Sequence, residues 1–153
     1  MKWLIPPVLC VGCLAGMVVL DRWLPLARPL AVLRWLGLAL LVAGVLLIVT
    51  VGLLLLRYRT EIHTFGEPRR LVTGGPFRFS RNPIYLGFVV SLLGAWCYLG
   101  SVSPLLGVVA FFLAANYWYI PFEEERLLEA FGEAYRTYQR RVARWLGPGI
   151  SRS

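Results

Sequence analysis

The chain has 153 residues, a length that ordinarily gives one soluble domain, yet 58% of them are hydrophobic, 16% are charged and the mean hydropathy is +0.67, which places a single domain largely in lipid. The net charge of +8 rests almost entirely on arginine, 15 of the 16 basic residues. That balance suits an anionic leaflet or anionic ligands, and without a soluble basic face it excludes a nucleic-acid binder. Cys10, Cys13 and Cys97 all sit in apolar runs and read as helix packing; the CxxC at 10–13 lacks the βαβ context of a redox motif.

In chain order, residues 4–20 form an apolar run behind Lys2, without a small-residue cleavage site, and read as a first transmembrane helix. Gly12 and Gly16 on it have the spacing that lets a neighbouring helix approach. Residues 21–34, with two prolines and three arginines, make an interfacial connection. Residues 35–56 carry no charge and are long enough to cross a hydrocarbon core of about 30 Å. A polar loop over 57–83 follows, then two shorter apolar runs, 84–99 and 105–120, joined by a tight turn at 100–104.

Basic residues number one before the first span, three in 21–34, six in 57–82, none in 100–104 and six in 122–153. The positive-inside rule then puts both termini and the 57–82 loop in the cytoplasm. The expected fold is an all-α integral membrane protein of one domain, with four transmembrane helices, a cytosolic motif loop and a C-terminal amphipathic helix. That last helix is expected over 122–146, because Leu127, Phe131, Tyr135, Tyr138, Val142 and Trp145 recur at steps of three and four. Pro121 precedes it, and Glu123 and Glu124 stand in its first turn, where the helix dipole favours negative charge. Gly132 inside it costs helix stability and points to a close approach.

None of the four spans contains an Asp, Glu, Lys, Arg or His, which disfavours an ion or proton transporter. The polar groups gather instead at one membrane face. Arg78, Arg81, Asn82 and Tyr85 lie at the start of the third span, and Asn116, Tyr117, Tyr119, Glu123 and Glu124 at the end of the fourth. A helical hairpin brings those two ends together. Taken singly, the arginines read as positive-inside anchors, the tyrosines as an interfacial belt and the glutamates as helix caps.

Two motifs change that balance. Gly75-Pro76-Phe77-Arg78 followed by Ser80-Arg81-Asn82-Pro83-Ile84-Tyr85-Leu86-Gly87 resembles the RHPxY-type motif of the isoprenylcysteine carboxyl methyltransferase family. Glu123, Glu124, Leu127, Phe131, Gly132, Tyr135 and Tyr138, with Arg141-Val142 after them, resemble that family's EExxLxxxFGxxYxxY pattern. The resemblance covers roughly residues 70–145. It implies an integral membrane methyltransferase that uses S-adenosylmethionine without a Rossmann domain, on a lipid-borne or hydrophobic acceptor that enters from the bilayer.

Carried over, the resemblance places Asn82, Pro83, Tyr85, Glu123 and Glu124 around the cofactor and gives Arg81 and Tyr85 the catalytic positions; no residue is assigned to a metal. A carboxylate can accept both ribose hydroxyls, and a sulfonium is favoured beside carboxylates and aromatic faces. Two positions depart from the family. Asn82 stands where it has histidine, and an asparagine cannot titrate, so no proton transfer falls to it. Ala143 stands where it has proline. A similar NPxY stretch occurs in membrane phospholipid methyltransferases, so a phospholipid N-methyltransferase is an alternative. A reductase related to the sterol reductases, using NADPH, and a non-catalytic membrane subunit are the others. His63, the single histidine, reads as a solvated loop residue.

Overall fold

The computed structural model describes residues 6–27, 31–57 and 71–148. His63, the start of the expected first span and much of the first half of the 57–83 loop lie outside the described residues. Among the described residues the chain is helical throughout, without a strand. It runs as α1 (Pro6–Trp23), α2 (Arg34–Arg57), α3 (Pro83–Leu99), α4 (Leu105–Ala114) and α5 (Ile120–Arg141). Short 3-10 turns cover Ala31–Leu33 and Gly75–Arg78, and a π turn, Ala115–Tyr119, joins α4 to α5. Three helical stretches are long and apolar enough to cross a membrane: α1, α2 and the continuous helix Leu105–Arg141. α3, with 17 residues, is apolar but shorter. Large apolar side chains such as Val11, Val19, Leu46, Leu53, Leu106 and Leu113 point outward. In water such surfaces would drive association; here they are the lipid-facing side of an integral membrane protein.

Glycine sets how closely α2 and α3 pack. Gly37 and Gly44 lie two turns apart on one face of α2, and Gly87 and Gly94 do the same on antiparallel α3. A Cβ on Gly44 would stand 2.6 Å from the Gly87 carbonyl oxygen, and one on Gly94 2.6 Å from that of Gly37. Any side chain there would therefore push backbone against backbone. Gly12 and Gly16 on α1 play no such part, since both face open space. α1 docks instead through its neighbouring face, where fully buried Met17 and the Cys13 carbonyl close over Gly107 of α4.

The core between α1, α3 and α4 contains Met17, Phe88, Leu92, Phe111 and Ile120, with Phe88 and Phe111 edge to face at 5.6 Å. The α3–α4 turn is anchored to the end of α1. Ser101 Oγ donates to Asp21 Oδ1 at 2.6 Å and Ser103 Oγ to the Leu24 carbonyl at 2.6 Å. This fixes the far end of the hairpin and leaves its other end to carry the polar residues.

The tail departs from expectation in two ways. α5 is not a separate helix, because the π turn carries α4 straight into it. Pro121 cannot donate to a carbonyl in the preceding turn, and the wider π register just before it accommodates that loss. The helix also stops at Arg141 instead of reaching residue 146. Val142 is extended (φ −127°, ψ 132°) and bridges Pro148 across a turn at Gly147. The apolar period continued to Trp145 because Val142 is buried by this turn-back, as it would be on a helix face. Gly132 breaks α5 with φ 51° and ψ −124°, a backbone that favours glycine. Among the described residues no atom lies within 4 Å of a Cβ there, and the positive φ accounts for this glycine where a close approach was expected.

A second, smaller core lies under the tail, where Tyr135, Tyr138 and Val142 pack with Leu71, Phe77, Leu127 and Phe131. The Tyr138 hydroxyl donates to the Phe77 carbonyl at 2.7 Å. Burial raises the Tyr138 pKa above the ordinary 10.0, which keeps that donor protonated. The motif loop is thus held against the tail from the side opposite the apolar core.

Candidate functional site

α3 begins with Pro83 at a position where a missing N–H costs nothing, and Asn82 precedes it as the cap. An asparagine there ordinarily turns its side chain onto the helix N-terminus. Here it makes no cap bond and reaches across instead. Asn82 Nδ2 donates to the Arg144 carbonyl at 3.2 Å and, at the long limit of 3.5 Å, to Glu124 Oε1. One turn into α3, Tyr85 is 3% exposed and donates its hydroxyl to Glu123 Oε1 at 2.8 Å. Its ring stacks with that of Tyr119 at 6.5 Å between centroids.

Glu124, 7% exposed, is held from two directions. Arg81 approaches Oε1 at 3.1 Å and Arg144 donates to Oε2 at 2.7 Å. The two glutamates differ accordingly. Glu124 is fixed by two guanidinium groups, whereas Glu123 is half-buried against a tyrosine hydroxyl. Among the described residues the buried Nε–H of Arg81 finds no partner, a costly arrangement in an interior.

Segment 142–148 lies along the motif loop and closes it. Arg81 N–H donates to the Ala143 carbonyl at 3.0 Å, Gly147 N–H to the Phe79 carbonyl at 3.1 Å, and Ser80 Oγ to the Arg144 carbonyl at 3.3 Å. The π turn anchors the same segment: Trp145 Nε1 donates to Asn116 Oδ1 at 3.0 Å and Arg144 Nη1 to the Asn116 carbonyl at 3.4 Å. Trp145 also stacks on Phe112 at 4.9 Å. π turns free backbone carbonyls from the α register, and Asn116 shows one in use.

Of the residues singled out from sequence, the structure brings Arg81, Asn82, Pro83, Tyr85, Asn116, Tyr119, Glu123 and Glu124 to one end of the α3–α4 hairpin. Arg78 and Tyr117 are exposed. Arg144 was missed. It lies beyond the recurring motif in a segment whose apolar spacing read as helix, and no local signal distinguished it from the other arginines of the tail.

Arg81 and Glu124 also form one wall of a cavity of about 870 Å³. Its remaining walls are Arg136, Gln139 and Arg140 near the end of α5 and Val142, Ala143 and Arg144 beyond it. Arg140 and Arg136 both pair with Glu133, at 2.7 and 3.7 Å. Those pairs, led by the Arg140 hydrogen bond, hold the Glu133 carboxyl below its ordinary 4.5.

Both the motif loop and the glutamate pair lie within the stretch of the chain that matches a known family. A 63-residue stretch is 40% identical to the whole of an uncharacterised protein of Haemophilus influenzae, covering 41% of this chain. An 84-residue stretch, 53% of the chain, is 32% identical to methanethiol S-methyltransferase 1 of Bradyrhizobium diazoefficiens, of which it spans only 28%. The sequence profile of the phospholipid methyltransferase family matches residues 32–134, a span that contains α2, the motif loop, the hairpin and both glutamates, and the chain belongs to that family.

Proposed function

We propose that the chain transfers a methyl group from S-adenosylmethionine to a hydrophobic or lipid-borne acceptor that reaches the site from the bilayer, on the cytoplasmic side. The observation that carries this reading is the meeting of Tyr85 and Asn82 with Glu123 and Glu124 at one end of the hairpin, in a chain of a methyltransferase family. The donor set fits the cofactor's chemistry. A half-buried carboxylate suits ribose hydroxyls, and the stacked faces of Tyr85 and Tyr119 beside it suit a sulfonium. When bound, the cofactor supplies an activated methyl group; the protein's share is orientation and exclusion of water.

In this reading Glu123 and Tyr85 contact the cofactor, with Asn82 and Pro83 shaping the entry to α3. Glu124 serves the same pocket by holding Arg81, whose guanidinium orients an anionic acceptor. Asn82 has no titratable proton, so an acceptor that needs no general base fits best, a carboxylate as in the isoprenylcysteine enzymes or a thiolate. A phospholipid amine is the second reading, favoured by the family itself.

The test is transfer of labelled methyl from S-adenosylmethionine in membranes that contain the full chain, offered a prenylcysteine, an amino phospholipid and an alkyl thiol in turn. Label should enter one acceptor class and fall at least about tenfold in Glu123→Gln, the loss expected when a hydrogen bond to a charged group is weakened. Equal labelling in wild type and variant for all three acceptors would contradict the proposal.

A further inference from the structure

The inner face of the long helix Leu105–Arg141 goes out of step once. Buried Val108, Phe111 and Ala115 recur at three and four, the next buried residue, Ile120, comes five later, and Glu124 follows four after that. The extra residue falls in the π turn Ala115–Tyr119. One residue turns an α-helix by about 100°. Had the α register continued past Ala115, Phe122 would stand where Glu123 meets the Tyr85 hydroxyl. Glu123 would then take the place of Glu124 between Arg81 and Arg144. The π turn therefore delivers the two carboxylates to their two different partners.

π turns are rare and frequently mark functional sites. This one is held from outside the helix. Ile120 N–H donates to the Ala115 carbonyl, and the next donor in that register, facing the Asn116 carbonyl, would be Pro121, which has no N–H. Arg144 Nη1 takes that carbonyl at 3.4 Å, and the Asn116 side chain accepts Trp145 Nε1 at 3.0 Å. Asn116 thus receives two consecutive residues of segment 142–148, one on its backbone and one on its side chain. The same Arg144 donates through Nη2 to Glu124 Oε2 at 2.7 Å, so a single guanidinium links the π turn to the buried carboxylate. The family match ends at residue 134, so Asn116 lies inside it and both of its partners lie beyond it.

We propose that Asn116 is a positioning residue of the methyl-transfer site. By clamping Arg144 and Trp145 onto the π turn, it fixes the register in which Glu123 meets Tyr85 and Glu124 meets Arg81. The proposal rests on the reading of that site as the cofactor's. Asn116 itself touches neither cofactor nor acceptor; it acts through Arg144 and the turn it stabilises.

The experiment is a calorimetric titration of the detergent-purified full chain with S-adenosylhomocysteine, well below the thermal midpoint, which is measured on the same samples. Asn116→Leu keeps the size and removes the acceptor, Asn116→Asp restores an acceptor, and Trp145→Phe removes the donor but keeps a ring against Phe112. Asn116→Leu and Trp145→Phe should each weaken binding by at least about threefold, the effect of one neutral hydrogen bond. The double variant should be no weaker than either single one, since both remove the same bond. Asn116→Asp should bind as the wild type does. A lowered midpoint with unchanged affinity in Asn116→Leu would reduce the residue to a structural role and overturn the proposal. Additive losses, or Asn116→Asp as weak as Asn116→Leu, would also overturn it. Absence of binding in the wild type would contradict the proposed function instead. The clamp is then decided by hydrogen exchange at the Trp145 indole N–H in 15N-labelled protein: faster exchange in Asn116→Leu than in Asn116→Asp upholds it, and equal rates overturn it.

Discussion

Neighbouring carboxylates at 123 and 124 have different surroundings, and so different work. Tyr85 is the partner of Glu123, and removing only its hydroxyl separates that bond from the packing of the ring. Tyr85→Phe should weaken S-adenosylhomocysteine binding by about tenfold in calorimetry while the helical circular dichroism stays unchanged. Glu124 is buried between Arg81, whose side chain is 12% exposed, and Arg144 at 34%. Breaking a buried pair costs about 3–5 kcal/mol, while water reduces the penalty at a more open position. Arg81→Gln should therefore lower the thermal midpoint in detergent more than Arg144→Gln; the reverse order would make the tail contact the dominant one. Tyr138 supplies a pH test. Its folded pKa is raised, so its contribution is fully present below the unfolded value near 10.0 and is lost as pH rises above it. Protease cleavage of the tail should accelerate above pH 10 in the wild type, and the rise should be smaller in Tyr138→Phe, in which Tyr135, also raised by burial, still titrates.

Helices were readable where one physical requirement dominated. A run such as 35–56, without charge, must satisfy its backbone internally, and α2 has nearly those bounds. The tail was readable in its period but not in its end, because Val142 meets the burial requirement of a helical position from an extended backbone. The glycines show the same limit. Spacing of four drew attention to Gly12 and Gly16, whereas the spacing of seven at 37, 44, 87 and 94 brings α2 and α3 into contact, and only the pairing of the two helices reveals it. Gly94→Ala should destabilise the protein by about 1–3 kcal/mol in detergent unfolding, since the new Cβ meets backbone, whereas Gly12→Ala should be neutral or slightly stabilising. Gly132→Ala should cost about 1–3 kcal/mol through backbone strain alone.

At the scale of the molecule, the hairpin of α3 and α4 is anchored at its turn by Asp21, Ser101 and Ser103, and its open end carries both recurring motifs. That encounter was legible because two polar segments flanked one pair of apolar runs joined by a short turn. Arg144 and the π turn were not, because they depend on how segment 142–148 folds back over the loop, a long-range contact without a sequence period. The central claim is that this end holds S-adenosylmethionine, and calorimetric titration of the purified full chain with S-adenosylhomocysteine, with NADPH in parallel, tests it most directly. The account predicts saturable binding of S-adenosylhomocysteine alone, lost in the Glu123→Gln, Glu124→Gln double variant. Binding of NADPH in its place would contradict the account in favour of a reductase, and binding of neither in favour of a non-catalytic membrane subunit.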